Sequence, residues 1–189
     1  MRAVVLNGLR EGDVGEPVSV EVRSYLEHAG WTTEEFVLRD RKVAPCVEDF
    51  GCWIRKPGQC LIKDDAQEIT RAFLTCDLVV FLTPVTFGGY SSELKKVLDR
   101  SICFALPYFE GVGGETHHPT RYDRIPAMFY VGTETAPDEQ AESVFRDLVR
   151  RNALNMRPRA YRVSFVRAEK DAARVAEEVL ALANEEYGS

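Results

Sequence analysis

The sequence predicts an α/β fold: a doubly wound five-stranded parallel sheet in the order 2-1-3-4-5, with helices on both faces. Three observations predict it. Short apolar runs alternate with helical repeats along the chain, the pattern of consecutive β-α units. The run Leu78-Val79-Val80-Phe81-Leu82 is apolar throughout, as a central strand covered on both faces must be. The first apolar run ends directly at Asn7-Gly8, and a turn there suits a sheet whose strand order reverses beside strand one.

Each element follows in order. Arg2 to Leu6 is a first strand. Val18, Val22, Tyr25, Leu26 and Ala29 recur at helical spacing, and Gly30 stands where a helix stop is expected. Phe36 to Leu38 is a second strand, followed by a loop over 39–63 rich in Pro, Gly and Cys. Asp64-Asp65 opens the next helix, where either carboxylate can accept first-turn N–H groups, and Ile69, Ala72 and Phe73 form its apolar face. Leu78 to Leu82 is the third strand, and Ser91 to Arg100 a helix with Leu94, Val97 and Leu98 inward. Residues 101–124 read as irregular. Ile125 to Gly132 is the fourth strand, Pro137 to Asn152 a helix with Pro137 in its first turn, Tyr161 to Val166 the fifth strand, and Glu169 to Glu186 a final helix.

The 189 residues suit one domain over 1–189. With 45% hydrophobic and 29% charged residues, the chain can bury a full core and is not of disordered composition. A formal net charge of −6 argues against a nucleic-acid or anionic-membrane binder. No apolar run is long enough to span a bilayer, and the N-terminal apolar stretch is too short for a secretory signal. Cys46, Cys52, Cys60, Cys76 and Cys103 make an odd set with three clustered, unlike a secreted disulfide framework. These features predict a cytoplasmic protein.

Ligands of such sheets bind beyond the carboxyl ends of the strands, here at Asn7–Glu16, Thr83–Tyr90 and Gly132–Ala136. In the loop Thr83-Pro84-Val85-Thr86-Phe87-Gly88-Gly89-Tyr90-Ser91, Pro84 fixes the chain leaving the strand. Gly88 and Gly89 allow close backbone approach. Phe87 and Tyr90 offer aromatic faces, and Ser91 can cap the following helix. That combination suits a flat, partly polar ring, though a plain strand–turn–helix junction would read similarly.

The segment from Leu82 to Arg100, including Thr83-Pro84-Val85-Thr86-Phe87-Gly88-Gly89-Tyr90-Ser91-Ser92-Glu93-Leu94-Lys95, resembles the flavin loop and helix of the NADPH-dependent FMN reductase and iron–sulfur flavoprotein families. Gly51-Cys52-Trp53-Ile54-Arg55-Lys56-Pro57-Gly58-Gln59-Cys60 resembles the same group. The resemblance covers roughly residues 1–135 and implies a flavodoxin-like fold with FMN as cofactor and NAD(P)H as co-substrate. It places Thr83–Tyr90 at the isoalloxazine edge and Gly132-Thr133 against the ring. It also implies a phosphate seat at the first loop, where Gly8, Leu9 and Arg10 are the candidates. Flavodoxin-like phosphate loops are rich in Ser and Thr, because a helix N-terminus favours an anion. This loop lacks hydroxyls and carries Glu11, Asp13 and Glu16, each repelling a phosphate.

In the iron–sulfur relatives the cysteine loop holds a [4Fe–4S] cluster on four thiolates. Here Cys46, Cys52 and Cys60 match, and Asp49 stands at the fourth position as a harder donor less suited to cluster iron. The loop is therefore read as holding no metal, with these four residues as the set a cluster would draw on. Cys76 and Cys103 read as buried small hydrophobes. His117-His118 reads as surface loop, Trp53 as the anchor of the cysteine loop, and the basic stretch from Arg146 to Arg162 as a solvated face. The irregular 101–124 segment is long for a connector, so it is expected to border the flavin and an oligomer interface.

The expected function is an FMN-dependent oxidoreductase passing electrons from NAD(P)H to a small acceptor such as a quinone or flavin. No side chain is required as acid or base, because the flavin carries the chemistry. An electron-transfer flavoprotein working with a protein partner and a flavin-free binding descendant are the alternatives. Relatives of this type commonly form homodimers or homotetramers.

Overall fold

The computed structural model describes residues 1–188. The chain runs β1 (Arg2–Asn7), α1 (Glu16–His28), β2 (Thr32–Val37), α2 (Gly51–Ile54), α3 (Ala66–Thr75), β3 (Leu78–Pro84), α4 (Ser92–Arg100), β4 (Glu110–Val112), β5 (Glu115–His117), β6 (Ala127–Thr133), α5 (Glu139–Met156), β7 (Tyr161–Val166) and α6 (Ala172–Tyr187). Five strands form one parallel sheet in the order β2-β1-β3-β6-β7. That is the predicted 2-1-3-4-5 topology, with the antiparallel hairpin β4-β5 inserted before the fourth strand.

Alternation along the strands divides the core into two layers. Val79 and Phe81 of β3 pack with Phe73, Leu94 and Phe145, residues of α3, α4 and α5. Leu78, Val80 and Leu82 pack with Val22, Leu26, Val175 and Val179 of α1 and α6. All five strand residues are fully buried, which is why the sequence shows no polar alternation there. Burying a Val, Leu or Phe side chain contributes roughly 1.5–3 kcal/mol.

Several boundaries differ from expectation. Strand β2 begins at Thr32 because it pairs with β1 from Arg2 onward. Its Thr33, Glu34 and Glu35 are half-buried on an edge strand, so apolar patterning shows only its end. Helix α5 starts after Pro137: the Asp138 carboxylate accepts from Ala141 N at 3.0 Å and caps it. The 101–124 segment is structured, with a 3-10 turn over Ser101–Phe104 and the β4-β5 hairpin. A second 3-10 turn over Glu169–Asp171 precedes α6.

The Asp64-Asp65 pair also does more than cap. Asp64 forms a two-point ion pair with Arg100, Nη1 to Oδ2 at 2.9 Å and Nη2 to Oδ1 at 3.0 Å, while accepting from Ala66 N. Asp65 instead accepts from Lys42 N. Burial alone would raise the Asp64 pKa, but the Arg100 guanidinium and the Ala44 and Ala66 N–H groups outweigh it and hold the carboxyl below its ordinary value. Arg100 is fully buried and also donates to Ala44 O at 3.0 Å. One guanidinium thus ties the cysteine loop to α4.

Candidate functional site

The carboxyl ends of β1, β3 and β6 meet at a groove of about 320 Å³. Arg10, Asp13, Pro84, Val85, Thr133 and Glu134 are among its walls. The groove exists because β3 and β6 stay in register to their ends, Pro84 opposite Thr133, with Val85 N donating to Thr133 O at 3.0 Å. Loops leaving β1 and β3 then diverge, as at a topological switch point.

The β3 loop is locked from within. Thr83 is fully buried, and its Oγ1 accepts from Ser91 N at 2.8 Å. Ser91 caps α4 by accepting from Leu94 N. Thr86 and Gly89 exchange two backbone hydrogen bonds, at 2.9 and 2.8 Å. Between them Phe87 and Gly88 both take positive φ, 50° and 77°, the geometry of a tight hairpin turn. A Cβ on Gly88 would lie 2.5 Å from Val144 Cγ1, so only glycine lets this turn rest on α5. Phe87 is fully exposed. A bulky residue in the left-handed region costs on the order of 1–2 kcal/mol, and no packing within the chain offsets that. Among the described residues, the N–H groups of Phe87, Gly88 and Tyr90 have no acceptor.

The β1 loop is arranged differently. Gly8 N donates to Leu82 O at 2.8 Å, and Leu9 is buried with its N–H on Asn7 Oδ1. Asp13 Oδ1 accepts from Gly15 N at 3.0 Å, and Asp13 O accepts from Glu16 N at 3.0 Å. Pro17 has no N–H, and Val18 N bonds Gly15 O at 2.9 Å. Helix α1 is thereby capped by its own loop. Gly15 is pressed against Thr133, whose Cγ2 would meet a Cβ at 2.4 Å.

Of the residues expected to hold a ligand, Arg10, Pro84, Val85 and Thr133 line the groove. Thr86, Phe87, Gly88 and Gly89 form the turn beyond it. Gly8, Leu9, Thr83, Ser91 and Gly132 are buried parts of the frame. Tyr90 corrects the expectation of an open aromatic face: its ring is buried against Tyr130 and Phe145, and Asn152 donates to its hydroxyl at 3.0 Å. Burial raises its pKa despite that bond.

Glu134 lies within the expected 132–136 loop, though no pattern in the sequence singles it out, and it lines the groove. Its side chain is 5% exposed, and Arg167 Nε lies 3.3 Å from Oε2 without hydrogen-bond alignment. Arg167 donates instead to Glu142. Burial and the Glu142 charge raise the Glu134 pKa, and Arg167 only partly opposes them.

The cysteine loop lies apart from this groove. Cys46, Asp49, Cys52 and Cys60 border a second cavity of about 350 Å³ with Arg100. Asp49 Oδ1 accepts from Gly51 N at 3.0 Å, between Glu48 and Phe50 at positive φ, so that carboxylate is engaged as a turn former. Among the described residues no group of three or more His, Cys, Asp or Glu side chains is arranged to hold a metal ion. Burial, then the neighbouring Cys60 and Cys46, raise the Cys52 pKa. Cys76 and Cys103 are buried, and burial pushes both thiols up to about 12.

Trp53 anchors the loop by donating to Ile102 O at 3.1 Å. His117 corrects the surface-loop expectation, being buried between Asn155 and Glu115. His118 stacks between Trp53 and Phe109. The basic stretch is largely paired, with Arg151, Arg157, Arg159 and Arg162 meeting Glu115, Glu110, Glu186 and Glu185.

Comparison with known proteins gives a consistent result. A family model described as NADPH-dependent FMN reductase matches residues 1–166. An iron-sulfur flavoprotein of Archaeoglobus fulgidus is 35% identical over 103 residues, 54% of this chain and 51% of that protein. An iron-sulfur flavoprotein of Methanosarcina thermophila is 29% identical over 93 residues, 49% of this chain and 48% of that one. The chain thus spans about half the length of the curated relatives it matches. Among solved structures, an NAD(P)H:quinone oxidoreductase from Methanothermobacter marburgensis superposes with a TM-score of 0.71 at 15% identity, covering 99% of this chain and 98% of that one. An azoreductase from Bacillus anthracis str. Sterne gives 0.62 at 16% identity, covering 97% and 98%. At such identities the likeness is one of fold.

Proposed function

Because the chain belongs to the NADPH-dependent FMN reductase family, we propose that it is an FMN-dependent oxidoreductase that takes electrons from NAD(P)H and passes them to a small acceptor such as a quinone or a flavin. The observation that carries this reading is the β3 loop: a strained turn at the mouth of the groove that keeps Phe87 exposed and three N–H groups without acceptors.

The ring half of a flavin site fits these residues. Pro84 and Val85 supply an apolar wall, the free N–H groups of the turn supply donors for a polar ring edge, and Thr133 closes the β6 side. FMN, when bound, supplies the hydride and electron chemistry. The chain would orient the ring by holding the loop in place through Thr83 and Ser91. No proton transfer by a side chain is needed. At the phosphate half the start of α1 is engaged by its own loop, which leaves the N–H groups of Arg10, Glu11, Gly12 and Val14 and the Arg10 side chain as the donors.

A second reading, electron transfer to a protein partner through a cluster, draws on the three thiols around one cavity. Asp49, engaged with Gly51 N, stands against it. We further infer one domain, because both core layers share a single sheet. We also infer a homo-oligomer built on the exposed Phe50, Ile54, Tyr108 and Phe109, and a cytoplasmic setting for the unpaired thiols. No helix among the described residues is long and apolar enough to cross a membrane.

The test is an anaerobic titration of purified protein with FMN, then NADPH. Stoichiometric flavin uptake and loss of oxidised-flavin absorbance on adding NADPH are expected. Protein that leaves the flavin spectrum unchanged would overturn the reading. Iron recovered with the protein, and lost with its absorbance in Cys52→Ala, would favour the second.

A further inference from the structure

We propose that Cys52 and Cys60 form a dithiol exchange site, which a small disulfide of the glutathione class oxidises to a Cys52–Cys60 bond. The inference goes beyond the flavin reading and does not depend on it, because the pair lies in the cysteine loop, apart from the groove.

The chain brings the two limbs of this loop together at these residues. Seven residues separate Cys52 from Cys60, and they fold back on themselves. Gly58 N donates to Cys52 O at 2.9 Å, and Lys56 N to Gly51 O at 2.9 Å. One step further out, Leu61 is pressed on Gly51, where a Cβ would lie 2.4 Å from Leu61 Cδ1. The limbs are thus joined just inside the pair and just outside it. That is the juxtaposition a disulfide requires, with Cα atoms under about 7 Å apart. Both thiols are free and border the cavity of about 350 Å³. Cys46 shares that cavity, but among the described residues no backbone–backbone hydrogen bond joins its limb, 43–49, to the 51–60 turn.

The two sulfurs differ in what surrounds them. Cys60 is half-buried and also borders a third cavity of about 420 Å³, so it can be approached from two sides. Cys52 is buried. Arg100 lines the shared cavity with its side chain 1% exposed, and its Nε has no partner among the described residues. Burial would lower the Arg100 pKa, but the Asp64 hydrogen bonds and the neighbouring Cys60 sulfur outweigh it. A guanidinium beside a thiol favours the nucleophilic thiolate. Cys60 is therefore the thiol that attacks. Its thiolate cleaves the S–S bond of the incoming disulfide, forms a mixed disulfide and releases one thiol. Cys52 then gives up its proton and attacks the Cys60 sulfur, releasing the second thiol. The pair loses two electrons and two protons, which the two released thiols carry off.

The test is incubation of the full chain, purified with reductant and a metal chelator, with oxidised glutathione. Thiols are then counted under denaturing conditions and the peptides mapped. The wild type is expected to lose two of its five thiols and to retain no glutathione. Cleavage after Lys and Arg separates Cys60, in 56–63, from 43–55, which carries Cys46 and Cys52. These two peptides are expected to appear linked, in the wild type and in Cys46→Ser alike. Cys52→Ser is expected to hold one glutathione on Cys60, and Cys60→Ser to react at least about tenfold more slowly than the wild type. The wild-type map needs no variant to fold. Five thiols retained, or a stable adduct in place of the linked peptides, would overturn the proposal. So would a link that is lost in Cys46→Ser, or iron that resists the chelator and protects these thiols. None of these outcomes bears on flavin uptake, which the flavin titration reads separately.

Discussion

Two loops leave adjacent parallel strands and border one groove, yet they are held in shape in different ways. The β3 loop satisfies itself with side chains and a two-residue turn, through Thr83, Ser91 and the Thr86–Gly89 pair, and leaves the Phe87, Gly88 and Tyr90 N–H groups without acceptors among the described residues. The β1 loop is held by backbone bonds around Asp13 and leaves the N–H groups of Arg10, Glu11, Gly12 and Val14 without acceptors among the described residues. One is pinned by side chains at a cost in backbone strain at Phe87; the other reaches its one positive φ at a glycine, Gly12, and exposes Arg10 and Glu11 to solvent. Position at a switch point therefore makes a cleft, and the way each loop is braced decides how firmly its wall is fixed.

The sharpest way to break this contrast is to collapse the β3 turn. Gly88→Val combines a left-handed backbone with a Cβ 2.5 Å from Val144. A destabilisation of about 3 kcal/mol is expected, from adding the αL penalty to overpacking, together with loss of flavin uptake. Denaturant unfolding and a flavin titration on the same sample check it. Unchanged stability would mean the turn is not pinned to α5. Thr83→Val is next. It leaves the buried Ser91 N–H without its acceptor, which costs about 1–3 kcal/mol. Flavin binding should weaken with it, because Thr83 sets where the loop begins.

How much of this the sequence disclosed follows from the range of the forces involved. Sheet order and the β3 core were legible because Leu78 to Leu82 is apolar without interruption. The β2 edge was half-hidden because Thr33, Glu34 and Glu35 carry no apolar signal. At the groove, the expected Pro84, Val85 and Thr133 are among the lining residues, and the acidity of the β1 loop is evident in the sequence. That Asp13 would brace the turn ahead of α1 depends on a hydrogen bond to Gly15 N, two residues on, that other Asp-x-Gly segments need not form. Tyr90 was misread because an aromatic beside two glycines looks open until α5 covers it. The Arg100–Asp64 pair joins residues 36 apart, and no local pattern announces such a bond.

A smaller effect separates strain from function in the β3 loop. Phe87→Gly removes the left-handed penalty from an exposed position, so stability should rise by about 1 kcal/mol. Flavin or acceptor binding should weaken at the same time. Opposite signs in a melting curve and a ligand titration would establish that the strain is held for a ligand. A variant that loses stability would show instead that Phe87 packs within the protein.

The smallest expected effect lies where the two loops meet the end of β6. Glu134 has its pKa raised by burial and by Glu142, with Arg167 offsetting part of this. A carboxyl raised in the folded state favours folding while it is protonated, below its unfolded pKa, and that contribution is lost as pH rises through the folded value. At neutral pH the charged form is thus a mild burden on the fold. Glu134→Gln, which cannot ionise, should be modestly more stable than the parent at neutral pH, because it removes the cost of holding a buried charge. Its advantage should shrink as pH falls through the carboxylate range, where the parent becomes neutral too. Urea unfolding at several pH values reads this difference directly. A Gln variant that is weaker at neutral pH would mean that the Arg167 attraction across 3.3 Å outweighs desolvation, and that the β6 end of the groove is held by charge rather than strained by it.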